Sequence, residues 1–373
     1  MNCLSLNTII FKKYRTYLFI LACFIAWLLV LYLTAFFTFD KNHYQATTPW
    51  FSPSYWARWD SKWYVDIASN GYTELTTVFF PGYPILIKAV SSLGLNPFWA
   101  GHLISCLFLY LALILLFELI KKDFSGKTGI FTVIFLLAFP FSFFLISVYP
   151  ESLLLFLFAA CFYLARQKKW LFASLLAGLA GTTKLAGLIL FPLLIIEYLK
   201  SKNWQWREIK ADALVLLIAP LGFISYLIYL QAKFGHWFYF IRSQQSFDTR
   251  ILLPHETISR YFLRTFTEFI YRDWQLFLIF LINFLSIILI LVLTPMVIRK
   301  LRVTYLILLA FILIYPLFGE IIHSFSRYLL PIFPFFLGLA LIKNRLAKIT
   351  LLLSFFILLI IFTSFFVNWQ WVA

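Results

Sequence analysis

The chain of 373 residues is 63% hydrophobic and 12% charged, with a mean hydropathy of +0.90. Soluble domains carry about 25% charged residues, so the composition excludes a water-soluble globular protein and points to a chain dissolved mainly in lipid. A formal charge of +16 suits a nucleic-acid partner in a soluble protein, but the positions of the charges make it an orientation signal and exclude that class.

The first apolar run, Tyr17–Phe37, follows Lys12, Lys13 and Arg15 and has no small-residue cleavage site, so it reads as a retained anchor rather than a signal peptide. Ten more runs follow, at 98–120, 129–148, 152–165, 170–183, 185–199, 211–230, 274–298, 303–318, 329–342 and 347–367. The expectation is therefore an all-α polytopic membrane protein with about eleven transmembrane helices in one domain over 1–373. Several runs fall below the usual length of about 17 residues, which leaves their ends open. Alternate connections are basic, and six short ones hold 19 of the 31 Lys and Arg. The positive-inside rule places these in the cytoplasm, so the N-terminus is expected inside a cytoplasmic membrane and the C-terminus outside.

Two outer connections are long, 40–96 and 231–273, and their density of Trp and Tyr suits short helices in the headgroup layer. The acids repeat the asymmetry, with 10 of 15 Asp and Glu and all five His expected outside. Any chemistry belongs on that face. Cys23, Cys106 and Cys161 fall within spans and read as small apolar packing residues. No P-loop is present, which excludes a cytoplasmic ATP motor, and the His spacing carries no metal signature.

The first outer connection contains "ARWDSKWYVDIASNGY", Ala57 to Tyr72. A helix beginning near Asp60 puts Asp60 with Trp63 and Tyr64, and Asp66 with Lys62 and Asn70. The two carboxylates are then about 240° apart and do not share a metal. Asp60 has two readings, a helix N-cap or a general base under aromatic cover. Asp66 reads as a surface partner of Lys62. The turn residues of "VFFPGYPILI", Val78 to Ile87, return the chain to the bilayer and position the preceding helix. Glu151 opens a helix after Pro150, as a dipole partner or a site residue. Lys184 lies between apolar runs, where it reaches headgroups or meets an anion. Arg327 shares an outer loop with Glu320 and His323, as the partner of Glu320 or as a fork for phosphate. "FGHWFYFIRSQQSFDTR" adds His236, Gln244, Gln245 and Asp248.

"RWDSKWYVDIASNGY" followed by "FFPGYP" resembles the PIG-V mannosyltransferases and their prokaryotic relatives. The matching positions are Arg58, Trp59, Asp60, Tyr64, Ile67, Ala68, Gly71, Tyr72, Phe79, Phe80, Pro81 and Pro84. "YPESLLL", "SRYLLPIFP" and "FGHWFYFIRSQQ" are weaker echoes, the last through Phe240 and Gln244. "TTKLAG" departs from the family's T-R-x-N-G, with Lys184 for Arg and Ala186 for Asn. The resemblance implies the GT-C glycosyltransferase fold. It also implies inverting transfer of a hexose, mannose by analogy, from a polyprenyl-phosphate-linked donor to a lipid or glycan hydroxyl on the extracytoplasmic side, without a metal or other cofactor. In that reading Asp60 is the base, and Arg327 and Lys184 hold the donor phosphate. Arg58, Trp59, Trp63, Tyr64, Asp66, Tyr72, Glu151, Gln244 and His323 contact substrate. The competing classes are a lipid-linked-sugar flippase or secondary transporter, and a non-catalytic assembly subunit of the same fold.

Overall fold

The computed structural model describes residues 3–40, 52–246, 252–270, 273–318 and 324–372. Every regular element among them is helical. The chain opens with α1 (Cys3–Thr38), and the first long connection then folds as a series of short helices. A 3₁₀ turn at Pro53–Trp56 precedes α2 (Ser61–Asn70), and a second at Leu75–Val78 precedes α3 (Gly82–Ser91). α4 (Pro97–Asp123) starts where the Asn96 side chain accepts from the Phe98 N–H, which satisfies one of the amides a helix N-terminus leaves open. Ser125 caps α5 (Gly126–Ala138) in the same way, through the Thr128 N–H.

α6 (Glu151–Ala165) and α7 (Trp170–Thr183) form an adjacent pair, and α7 has the bounds expected from its apolar run. α8 (Leu190–Ser201), α9 (Leu221–Phe234), α10 (Tyr239–Gln245) and α11 (Pro254–Ile270) follow. α12 (Trp274–Val297) and α13 (Val303–Ile314) lead to α14 (Phe325–Tyr328), α15 (Phe333–Ala340) and the last long helix, α16 (Arg345–Val367).

Four expected spans are broken, three of them at proline. The run 129–148 is helical only to Ala138, because Pro140 drives Phe139 into the extended region. The chain then runs through Phe139–Pro150 as an irregular, wholly buried segment with one 3₁₀ turn at Ser142–Leu145. The run 211–230 is a 3₁₀ helix, Ala211–Ile218, bent by 41° from α9 across Pro220. Pro331 and Pro334 reduce 329–342 to α15. The run 185–199 begins as a 3₁₀ turn, Leu185–Ile189, because Lys184 is extended between two helices. Shorter apolar helices at Gly126–Ala138, Glu151–Ala165, Trp170–Thr183 and Val303–Phe318 answer to four of the eleven expected runs. By length and composition four described helices can cross a membrane alone, α1 from Tyr14, α4, α12 and α16, or five if the bent pair is one span.

One apolar core runs from α1 to Val372, and aromatic rings fill its centre. Phe139, Phe141, Phe143 and Phe144 of the irregular segment are buried, the last two against Phe366 of α16 at 4.9 and 5.2 Å between ring centres. Exposed Leu, Ile and Phe on α1, α12 and α16 supply the lipid-facing surface.

Candidate active site

The turn before α2 is held from both sides. The Val148 N–H donates to the Trp56 carbonyl at 3.0 Å. The buried Arg58 side chain donates to the Val367 carbonyl at 3.0 Å and the Ser54 carbonyl at 2.6 Å, and lies over the Trp369 ring. Trp59 takes a left-handed backbone conformation with φ at 50°, which costs an L-residue about 1–2 kcal/mol and persists where neighbours over-determine it. The Tyr149 hydroxyl is one such neighbour: it accepts from the Asp60 N–H at 3.2 Å and donates to the Arg58 carbonyl at 3.1 Å.

Asp60 occupies the N-cap position of α2 without making a side-chain cap bond. Its Oδ2 instead accepts from Arg327 Nη1 at 3.2 Å. Arg327 Nε lies 3.7 Å from Glu151 Oε1, and Lys184 Nζ donates to the same oxygen at 2.9 Å. Four charged groups from distant parts of the chain thus alternate in sign, Asp60–Arg327–Glu151–Lys184. The Glu151 side chain is 1% exposed, while that of Asp60 is 34% exposed, so Glu151 is fixed and Asp60 is reachable. Burial opposes the Arg327 charge, but Tyr328, Asp60 and Glu151 outweigh it and hold its pKa well above the usual arginine range. Burial, with Asp60 next, likewise raises the Tyr149 hydroxyl well above the usual tyrosine range.

All four line a cavity of about 110 Å³, together with Tyr64 and Gln244. Six residues singled out from sequence therefore converge. Tyr149, Tyr315 and Tyr328 also line it and were not singled out. Tyr149 and Tyr328 sit inside "YPES" and "SRY", beside the ionic residues that drew attention. Tyr328 underlies Lys184, whose Nζ is 4.1 Å from the ring centre.

The other candidates lie outside this lining. Arg58 anchors the loop to α16, and Trp59 packs edge-on against Trp369 at 5.9 Å. Trp63 stacks on Phe79, one layer behind the cavity. Tyr72 donates to the Phe79 carbonyl at 2.6 Å and lines a separate groove with Tyr226 and Tyr229. The Asp66–Lys62 pairing is corrected: Asp66 accepts from Asn70 at 2.7 Å, and Lys62 turns back over Trp63. Of the two readings of Lys184, the anion partner is the one observed. His323 and Glu320 lie outside the described residues, and the described partners of Arg327 are Asp60 and Glu151. Among the described residues no three His, Cys, Asp or Glu side chains group as a metal site.

A stack of apolar helices, with an ion-paired cavity walled by its short helices, defines a multi-pass membrane protein. The family model for dolichyl-phosphate-mannose-protein mannosyltransferases matches residues 80–229, less than half of the chain. That match begins within "FFPGYP" and takes in Glu151 and Lys184, but not Asp60 or Arg327. The crystal structure of ArnT from Cupriavidus metallidurans, bound to undecaprenyl phosphate, is similar with a TM-score of 0.54 and 15% identity. The similarity covers 88% of this chain and 62% of that one. No curated protein sequence matches significantly. The fold is of the all-α GT-C membrane type.

Proposed function

We propose that the chain is a membrane glycosyltransferase that moves a hexose from a polyprenyl-phosphate-linked donor to a hydroxyl of a lipid or glycan acceptor. Mannose is the sugar favoured by the motif resemblance and by the family matched over 80–229. The undecaprenyl phosphate in the similar ArnT structure favours a polyprenyl carrier. The observation that carries the reading is the cavity itself, in which a reachable carboxylate, Asp60, faces two cations held by a buried one.

In this mechanism Asp60 takes the acceptor's hydroxyl proton as its oxygen bonds the anomeric carbon. The bond from that carbon to the phosphate oxygen breaks, and its electron pair stays on the phosphate. One displacement inverts the anomeric centre. The leaving phosphate needs no proton, because Arg327 and Lys184, which line the cavity, stabilise its charge. Arg327 suits this role as a planar fork of five donors, only part of which Asp60 and Glu151 occupy. Tyr64 and Gln244 line the same cavity, which supports a role for them in contacting the sugar.

The test is Asp60→Asn in purified, folded protein reconstituted with a lipid-linked mannose and membrane lipid extract as acceptor. Turnover should fall by at least about a hundredfold, the usual contribution of a general base. Near-normal turnover would remove Asp60 from that role. Sugar transfer by the unmodified chain in the same liposomes separates a transferase from a flippase or an assembly subunit.

A further inference from the structure

We propose that Arg327 is shared in alternation between Asp60 and the phosphate of the lipid carrier, so that protonation of Asp60 locks the carrier in and its deprotonation releases it. This rests on the transferase reading above and adds to it how the carrier is held and let go.

Arg327 has two anionic partners of unequal freedom. Glu151 is buried and tied on its other side to Lys184, so it keeps its place. Asp60 is a third exposed and reaches Arg327 through a single bond at 3.2 Å. A phosphate entering the cavity therefore competes with Asp60, not with Glu151, for the guanidinium. Asp60, Glu151, Lys184 and Arg327 sum to zero formal charge, so an incoming phosphate adds uncompensated negative charge unless Asp60 loses its own.

The reaction itself makes that adjustment. When the hydroxyl proton passes to Asp60 and the anomeric carbon–oxygen bond breaks, one negative charge leaves the carboxylate and one appears on the phosphate. Arg327 is placed to follow it. The carrier phosphate is then held by Arg327 and Lys184 until Asp60 gives its proton to water and reclaims Arg327. The other titratable groups lining the cavity are Tyr64, Tyr149, Tyr315 and Tyr328, besides Glu151 and Lys184. The Tyr64 and Tyr149 hydroxyls are held protonated, chiefly by burial, and leave the exchange to Asp60.

The experiment is calorimetric binding of dodecyl phosphate, a monoester like the spent carrier, to the purified full chain over a range of pH, with Asp60→Asn as the reference for the probe's own titration. Wild-type protein should take up more protons than Asp60→Asn on binding it, and its affinity relative to that variant should fall as pH rises. Asp60→Asn should bind about tenfold more tightly, with only the pH dependence of the probe, and Asp60→Ala should gain in the same direction. Equal or weaker binding by both variants, or the same pH slope in wild type and Asp60→Asn, overturns the exchange while leaving a phosphate site in place. No binding by the wild type or by either variant overturns the phosphate reading and the exchange with it.

Discussion

The position of Asp60 depends on a strained residue beside it. Trp59 is left-handed, and Arg58 and Tyr149 hold the backbone on either side of it. Asp60 is thereby kept from capping its own helix and directed to Arg327. Tyr149→Phe removes the acceptor of the Asp60 N–H and one donor to the Arg58 carbonyl without changing ring packing against Phe144. It should cost about 1–3 kcal/mol in thermal unfolding. Because the carboxylate's aim loosens while the cations stay, kcat should fall roughly tenfold with little change in donor KM. A rise in KM at unchanged kcat would place Tyr149 on the donor instead. No spacing rule points to this contact, since it joins residues 89 apart in the chain.

Among the elements, helix α7 and the "FFPGYP" turn meet behind Lys184. A Cβ built on Gly82 would lie 2.7 Å from Thr183 Oγ1 and 3.1 Å from the Thr182 carbonyl. The glycine thus lets the start of α3 approach the end of α7, immediately before the cation. Gly82→Ala must displace that end, at about 1–3 kcal/mol, and should raise the donor KM several-fold. Gly126→Ala is the comparison, because its nearest atom is 4.0 Å away, and it should leave both unchanged. Equal KM values for the two variants would break the link between this turn and Lys184. Helices with uniform apolar runs and clear ends, such as α7, were legible in the sequence. Runs holding Pro140, Pro220 or Pro331 were apolar enough to read as spans, but hydropathy does not register a missing N–H or a constrained preceding residue. In the site, charge set among apolar and aromatic residues identified Asp60, Glu151, Lys184 and Arg327 one by one. Their order in the ionic chain depends on tertiary packing, which no local pattern records.

The whole molecule has a second buried ionic network. Asp123 at the end of α4 binds Arg302 at 2.8 Å and Arg166 at 3.3 Å, and accepts from the Tyr305 hydroxyl at 2.6 Å. Arg166 also pairs with Glu197 of α8. These residues border four of the basic connections, so the structure brings those connections together at one end. Glu151 opens α6 and Arg166 follows its end, which separates the two networks by about 22 Å of helix at 1.5 Å per residue. That distance approaches the roughly 30 Å hydrocarbon core, the separation expected of networks toward opposite faces of a bilayer. If the Lys- and Arg-rich connections are cytoplasmic, as the positive-inside rule expects, the Asp123 end is predicted there and the cavity on the opposite side. Lys122 and Ser69 are exposed and belong to the two ends. With the four native cysteines replaced by alanine, Ser69→Cys should react with a membrane-impermeant maleimide in intact cells. Lys122→Cys should react only after permeabilisation. The reverse pattern would turn the cavity to the cytoplasm, where the lipid-linked donor would have to be presented from the inner leaflet.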